Sequence, residues 1–307
     1  MMKNLCDLHV HSTCSDGTLT PGELVRLAEK LGLGAVALCD HNTVAGLPEF
    51  LEAGKHSAVE AVPGVEFSTD YQDRELHLLA LFVKPEHYAA VTEKVEEMLA
   101  RKERSNVALV QALQSAGVTL DYASIKAGTP NGQVNRAVIA AEMVRRGYCA
   151  SVKEAFSNYL SPKHGFFHPP KRLDVFEMID FIRSIGAVSV LAHPFLNLGE
   201  DELRAFLTKA VPLGLDAMET EYSTFSGEQR QVLREMAAEF GIGISGGSDF
   251  HGDNKPDIAL GIGRGDLRVP MEVLKRLKQS RKITMEIRNE MCYDTLWTSD
   301  SNMERNK

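Results

Sequence analysis

Strands and helices alternate along this 307-residue sequence. That alternation predicts an α/β protein, either a β/α barrel or an open doubly wound sheet. Short apolar runs of strand length recur, separated by stretches with helical spacing. Polar residues able to do chemistry stand where those runs end, and both architectures bind ligands at the carboxyl ends of their strands.

Composition narrows the class. With 44% hydrophobic and 25% charged residues, the chain is long enough for one large core plus an insertion. A formal charge of −8 argues against a broad surface for long nucleic acid, while leaving room for a local basic pocket. Cys6, Cys14, Cys39, Cys149 and Cys292 are scattered, without a Cys-x-x-Cys pair. The expectation is therefore a reduced, cytoplasmic protein. No signal segment and no membrane-length apolar run is expected.

The first strand leads into Asp7-Leu8-His9-Val10-His11, where alternation puts His9 and His11 on one face and Leu8 and Val10 on the other. Asp16 follows in the polar turn. Thr20, Pro21 and Glu23 form a helix start with capping-box spacing, and the stripe Leu24, Leu27, Ala28, Leu31 ends at Gly32. Ala35 to Cys39 reads as a buried strand running into Asp40-His41. A helix from Gly46 to Lys55 precedes a third strand, Ala61 to Ser68, which carries Glu66. A fourth, Leu76 to Val83, has His77 as its polar member. Buried strands rarely accept an ionisable group without a partner, so Glu66 and His77 stand out.

From His87 to Ile185 only helical segments are expected: Val91 to Gly117, Arg136 to Gly147, Val152 to Tyr159 and Asp174 to Ile185. Alternation then resumes. Strand Ala187 to Ala192 ends in His193-Pro194, and strand Leu215 to Glu219 follows a helix over Asp201 to Ala210. Helix Gly227 to Phe240 leads to strand Ile242 to Gly247, which delivers Ser248-Asp249-Phe250-His251. A last helix covers Met271 to Gln279. The expected organisation is a barrel formed by 1–86 and 186–282, a helical insertion over 87–185, and a weakly docked tail over 283–307.

His9, His11, Asp16, His41, Glu66, His77, His193, Asp249 and His251 therefore gather at or near strand ends. Six of the ten histidines are among them. Mixed imidazole and carboxylate ligands suit Zn²⁺, Mn²⁺ or Fe²⁺ better than Ca²⁺ or Mg²⁺. The set is large enough for two or three ions, and Glu66 is the candidate bridge. Such a cluster suits hydrolysis, because a bound ion brings the pKa of water toward ~7. An isolated His-x-His means little; the recurrence at successive strand ends carries the reading. No Gly-x-Gly-x-x-Gly follows the first strand and no phosphate-loop lysine motif occurs, which disfavours a dinucleotide or ATP fold.

Five motifs resemble, in order, those of the PHP (polymerase and histidinol phosphatase) superfamily: His9-Val10-His11-Ser12-x-x-Ser15-Asp16-Gly17, Cys39-Asp40-His41-Asn42-Thr43, Pro63-Gly64-Val65-Glu66, Ala192-His193-Pro194 and Gly247-Ser248-Asp249-Phe250-His251. The resemblance implies a distorted seven-stranded, TIM-like (β/α)7 barrel and a trinuclear metal site. One ion would take His9, His11, Glu66 and Asp249, a second Glu66, His77 and His193, and a third Asp16, His41 and His251. Asp40 would orient a ligand rather than bind metal.

The helical insertion resembles the branch acting on nucleotide phosphates, which includes AMP phosphatases, 3′,5′-nucleotide bisphosphatases and a related activity that trims short RNA from its 5′ end. That branch carries a Gly-Arg-Pro-His-like phosphate-binding segment. The matching stretch here is Asn135-Arg136-Ala137-Val138, which keeps the arginine and has valine at the histidine position. Lys163, His164 and His168 are the candidates for replacement contacts; the bland alternative for each is a polar loop.

The implied activity is hydrolysis of a small phosphorylated metabolite by hydroxide generated at the metals. A nucleotide mono- or 3′,5′-bisphosphate is the favoured substrate, and His41 or His251 are the candidates for proton transfer. Rival expectations are histidinol-phosphate phosphatase, a 5′-end oligoribonucleotide exonuclease, a C–N hydrolase of the amidohydrolase type, and a non-catalytic metal-binding regulatory module. No membrane partner is expected.

Overall fold

The computed structural model describes residues 2–129, 134–170 and 173–280; the tail over 283–307 and most of the loop Gly128 to Gly132 lie outside them. The chain divides into two compact units, Met1–Thr92 with Leu173–Lys307, and Glu93–Arg172.

The first unit is a β/α barrel. Its strands are β1 (Cys6–Val10), β2 (Ala35–Leu38), β3 (Glu60–Tyr71), β4 (Arg74–Leu81), β5 (Leu173–Asp174), β6 (Val188–Leu191), β7 (Ala217–Tyr222) and β8 (Gly243–Gly247). Seven of them neighbour one another in the order β1-β2-β3-β4-β6-β7-β8, and the two-residue β5 pairs with β3 outside that path. The path ends meet: the Asp249 N–H donates to the His9 carbonyl at 2.8 Å, and the His11 N–H to that of Phe250 at 2.9 Å. This closure brings the two ends of the sequence motif series side by side.

Helix α1 (Pro21–Leu31) starts as expected, with the Thr20 side chain accepting from Glu23 N–H and Glu23 returning the bond, and stops at Gly32 in the left-handed region. α2 (Leu47–Gly54) links β2 to β3. Side chains from β1, β2, β3, β4, β6 and β7 meet in one buried cluster with Leu267, Val269, Val273, Leu274 and Leu277. A cluster fed from all round the sheet is the barrel interior, and the last helix, 271–280, packs into it.

The structure departs from strict strand–helix alternation at β3 and β4. These two are antiparallel and joined directly by Gln72 and Asp73, whose φ angles are +54° and +64°. Two successive residues in that region make the tight turn a twisted hairpin favours, here without glycine. β4 is thus reversed relative to its neighbours, and it also pairs antiparallel with β6. The start of β4, where His77 sits, lies at the end of the barrel where the other strands finish.

Helix α3 (Tyr88–Ser115) follows β4, and the division between the units falls in its second turn. The second unit continues with α4 (Tyr122–Ala127), α5 (Arg136–Arg145), α6 (Val152–Ala155) and a π-helical turn over Phe156–Leu160. α4 is not anticipated by the apolar pattern; Asp121 caps it, accepting from the N–H groups of Ala123 and Ser124. This unit has its own core around Leu109, Leu113, Ile139, Met143 and Leu160.

Helix α7 (Val175–Ser184), expected within the insertion, belongs to the first unit instead. Its buried stripe of Val175, Met178, Ile179 and Ile182 packs on the barrel strands, a partner that a periodicity cannot name. Helices α8 (Glu200–Leu213) and α9 (Gly227–Phe240) complete the outer layer. Among the described residues, no helix is long and apolar enough to cross a membrane.

Candidate metal centre

β1 carries His9, and His11 follows one residue past its end; both are fully buried. The pairing of β1 with β2 shifts register between Asp7 and Val10. Cys6 and Leu8 enter the barrel core while Asp7 and His9 alternate with them along the strand. Leu8 packs as expected, fully buried in the interior cluster.

Glu66, on β3, is the hub. Its Oε2 lies 3.3 Å from His9 Nε2, 3.3 Å from His11 Nε2 and 3.0 Å from His41 Nδ1. Its Oε1 lies 2.8 Å from His77 Nδ1 and 3.2 Å from His193 Nε2. His77 reaches it because Ser68 pairs with His77 and Glu66 with Leu79, so Glu66 and His77 are diagonal neighbours on one face of the hairpin.

Asp249 stands on the opposite side, with Oδ1 3.2 Å from His11 Nε2 and 3.8 Å from His9 Nε2. Asp16 closes the outer rim, 3.2 Å from His251 Nε2 and 3.8 Å from both His41 Nε2 and His11 Nδ1. All nine strand-end residues singled out in the sequence thus converge in the first unit. Three groups have ligand atoms close enough to share an ion: His9 with His11 and Glu66; His41 with Glu66 and His77; and His11, Asp16, His41 and His251 together. The grouping expected from the resemblance put His41 with the outer set alone; here His41 also stands beside Glu66 and His77.

The backbone is strained where it aims these groups. His193 has φ +29° and Asp249 φ +56°, both left-handed for residues with side chains. Gly247 is needed for close approach, since a Cβ there would stand 2.4 Å from the Cβ of His9.

A layer of partners holds the histidines. Glu219, at the end of the strand expected over Leu215 to Glu219, is fully buried and bonded twice. Its Oε1 lies 3.0 Å from His9 Nδ1, and its Oε2 accepts from the His193 N–H at 2.8 Å. The Nδ1–H of His251 donates to the Asp249 carbonyl at 2.8 Å. In both His9 and His251 that turns Nε2 toward the cluster. Asp40 accepts from Ser12 N–H at 2.7 Å, Ser12 Oγ at 2.6 Å and Ser15 Oγ at 2.7 Å, and so pins the loop that carries Asp16.

Three further partners take no part in the sequence reading of the metal site. Asp7 accepts from Ser248 N–H, Ser248 Oγ and Gly261 N–H at 2.8, 2.5 and 2.7 Å, tying β1 to the β8 end. The signal was a carboxylate inside an apolar strand. Lys255 donates to Asp249 Oδ2 at 2.6 Å, and Tyr222 OH donates to the same oxygen at 2.7 Å.

The donor set fits divalent cations. His9 Nε2, both ring nitrogens of His11, His41 Nδ1, Glu66 Oε2 and His193 Nδ1 are buried without a hydrogen-bond partner. Buried polar atoms are ordinarily paired, so this many on converging side chains marks a ligand-binding arrangement. Burial pushes His11 down to about 3, which favours the neutral, ligating imidazole. Burial opposes the charge of Glu66, yet the surrounding imidazoles outweigh it and hold its carboxyl well below the usual range. Burial likewise opposes protonation of His77, but Glu66 beside it raises that group to about 10. A buried carboxylate that draws protons onto its neighbours is in a site demanding positive charge.

Arg136, Lys163, His164 and His168 belong to the second unit. The Arg136 guanidinium stacks 4.2 Å from the Phe167 ring centre and 5.5 Å from that of Phe156, and reaches the Leu160 carbonyl at 3.3 Å. The His164 ring lies 2.6 Å from the Ser157 carbonyl. Lys163 and His168 are exposed, and the His168 carbonyl accepts from Ser105 Oγ.

A β/α barrel whose strand ends gather imidazoles and carboxylates around buried, unpaired ligand atoms defines a metal-dependent hydrolase. The PHP domain profile matches residues 7–161. The chain belongs to that family, and with it to the metal-dependent phosphoesterases. It is 35% identical over 246 residues to a 5′-3′ exoribonuclease of Haemophilus influenzae, covering 80% of this chain and 89% of that protein. It is 26% identical to a 3′,5′-nucleoside bisphosphate phosphatase of Chromobacterium violaceum, covering 80% and 86%. A solved structure from Bifidobacterium adolescentis, provisionally described as a metal-dependent phosphoesterase, superposes with a TM-score of 0.68 at 29% identity over 90% of this chain and 96% of that one.

Proposed function

We propose that this chain removes nucleotides from the 5′ end of short RNA by hydrolysing the phosphoester on the 3′ oxygen of a 5′-phosphorylated terminal nucleotide. The observation that carries it is the convergence of unpaired buried imidazole nitrogens on Glu66 in a PHP-family barrel that is similar to an exoribonuclease over most of its length. The same bond is the one broken when a nucleoside 3′,5′-bisphosphate loses its 3′-phosphate. That bisphosphate reaction is the second reading, favoured by the Chromobacterium violaceum likeness and by the substrate class expected from the insertion.

His9, His11, Asp16, His41, Glu66, His77, His193, Asp249 and His251 would hold two or three divalent ions, with Mn²⁺, Zn²⁺ and Fe²⁺ all suited to the donors. Ions held there lower the pKa of bound water and neutralise phosphate oxygens. Glu66 keeps five imidazoles converged on one point. Glu219, Asp40 and Asp7 hold ring orientations and loops so that the phosphorus meets a preformed site. His41 and Asp16, 25% and 55% exposed at the side chain, face the side from which a substrate enters. Of the two candidates for protonating the leaving 3′ oxygen, His41, 25% exposed, is retained for the case in which an ion leaves one of its nitrogens free, and His251, whose Nδ1–H is held by the Asp249 carbonyl, is not. Within the second unit, Arg136, Lys163, His164 and His168 are proposed as phosphate-binding residues. The charge of −8 suits a short oligonucleotide end better than a long strand.

The test offers Mn²⁺-loaded protein a 5′-phosphorylated RNA pentamer, its 5′-hydroxyl counterpart, adenosine 3′,5′-bisphosphate, AMP and histidinol phosphate, beside Glu66→Gln. Stepwise release of 5′-mononucleotides from the phosphorylated pentamer, absent in the variant, is the expected result. Phosphate release from the bisphosphate alone would move the assignment to the second reading. Turnover of histidinol phosphate alone, or of nothing by metal-loaded protein, would overturn both.

A further inference from the structure

We propose that Lys255 binds a phosphate oxygen of the substrate at the mouth of the metal centre, an inference that rests on the phosphoesterase reading of that same cluster.

Among the described residues, the inner cluster is short of permanent positive charge. Glu66 and Asp249 lie within it, with Glu219, Asp40 and Asp7 buried around it. Asp16 adds a carboxylate at its rim. Among the ion pairs of the described residues, Lys255 supplies the ammonium or guanidinium that reaches a carboxylate of the cluster. It does so from the chain segment just after His251, through the short turn Gly252–Asn254.

The position of Asp249 splits the work of its two oxygens. Oδ1 faces His11 and His9, while Oδ2 accepts from Tyr222 OH and from Lys255 Nζ. Tyr222 already satisfies Oδ2 from the buried side, since its own side chain is 5% exposed. Lys255 approaches from the open side, with its side chain 39% exposed. The pair is part-buried, Asp249 being 7% exposed, but Tyr222 already donates to the same oxygen, so Lys255 is not the sole support of that carboxylate. An ammonium has three donors, and the one bond to Asp249 leaves two directed away from that carboxylate. The ammonium is thereby held one carboxylate's width from the imidazoles, as phosphate recognition by lysine requires.

The test reads binding rather than turnover. Mn²⁺-loaded protein is titrated calorimetrically with inorganic phosphate, comparing wild type, Lys255→Ala and Lys255→Arg, with metal content measured on each sample. Lys255→Ala should bind phosphate about tenfold more weakly or worse at unchanged metal content, and Lys255→Arg should keep most of the affinity. Unchanged affinity in Lys255→Ala, loss of metal together with phosphate, or no phosphate binding by wild type would each overturn the assignment. Because phosphate binding is read without turnover, a failure of the RNA assignment shows separately, as intact phosphate binding with no hydrolysis of the nucleotide panel.

Discussion

Glu219 and His9 form a buried pair, Oε1 to Nδ1 at 3.0 Å, that decides which nitrogen of His9 faces the metal centre. The other oxygen of Glu219 takes the His193 N–H at 2.8 Å, so one carboxylate sets two of the converging histidines. Partners of this kind typically affect metal affinity by 10–100-fold. Glu219→Ala should weaken metal binding by about that factor, and Glu219→Gln, which can keep one of the two bonds, by less. Metal titration followed by calorimetry checks this; equal affinities in all three proteins would show that Glu219 is only a core carboxylate.

Removing the ions should lower thermal stability. Ions at about a hundredfold excess over their dissociation constant contribute about 3 kcal/mol. For a protein of this size that is a drop in Tm on the order of 5–10 °C on chelation, reversed by adding Mn²⁺ back. Glu66→Gln should abolish most of the metal-dependent rise, because five imidazoles share that carboxylate. A variant that keeps the full rise would remove Glu66 from its place as hub.

Gly247 is constrained by His9 rather than by its own dihedral. A methyl group there would sit 2.4 Å from the His9 Cβ and 2.5 Å from its backbone nitrogen. Gly247→Ala should therefore cost about 1–3 kcal/mol in urea unfolding and reduce metal content through displacement of His9. Full stability with full metal occupancy would mean that the strands part without consequence.

Asp40 should prove structural in effect and local in reach. Asp40→Ala strands the Ser12 N–H and two hydroxyls that now end on it. The expected cost is about 2 kcal/mol or more by chemical denaturation, with the Asp16 loop gaining hydrogen-exchange rate. Unaltered exchange over Ser12 to Asp16 would count against its pinning role.

The contrast between residues legible from sequence and those hidden in it follows from range. His9 and His11 announce themselves because a strand's two-residue repeat is a local rule, and His41, His193, Asp249 and His251 because each closes a short apolar run. Glu66 and His77 were visible as charges inside apolar strands. Their meeting was not, because it depends on β4 running backwards, and the Gln72-Asp73 turn that reverses it carries no glycine to signal it. Local chemistry of the chain thus determined which side chains could bind metal and roughly where each strand would end. Only the closed barrel decided that Glu219 orients His9, that Asp7 clasps Ser248 some 241 residues away, and that Lys255 faces Asp249. Those are contacts between distant segments, set by strand order, register and closure, and no periodicity within a window of sequence encodes them.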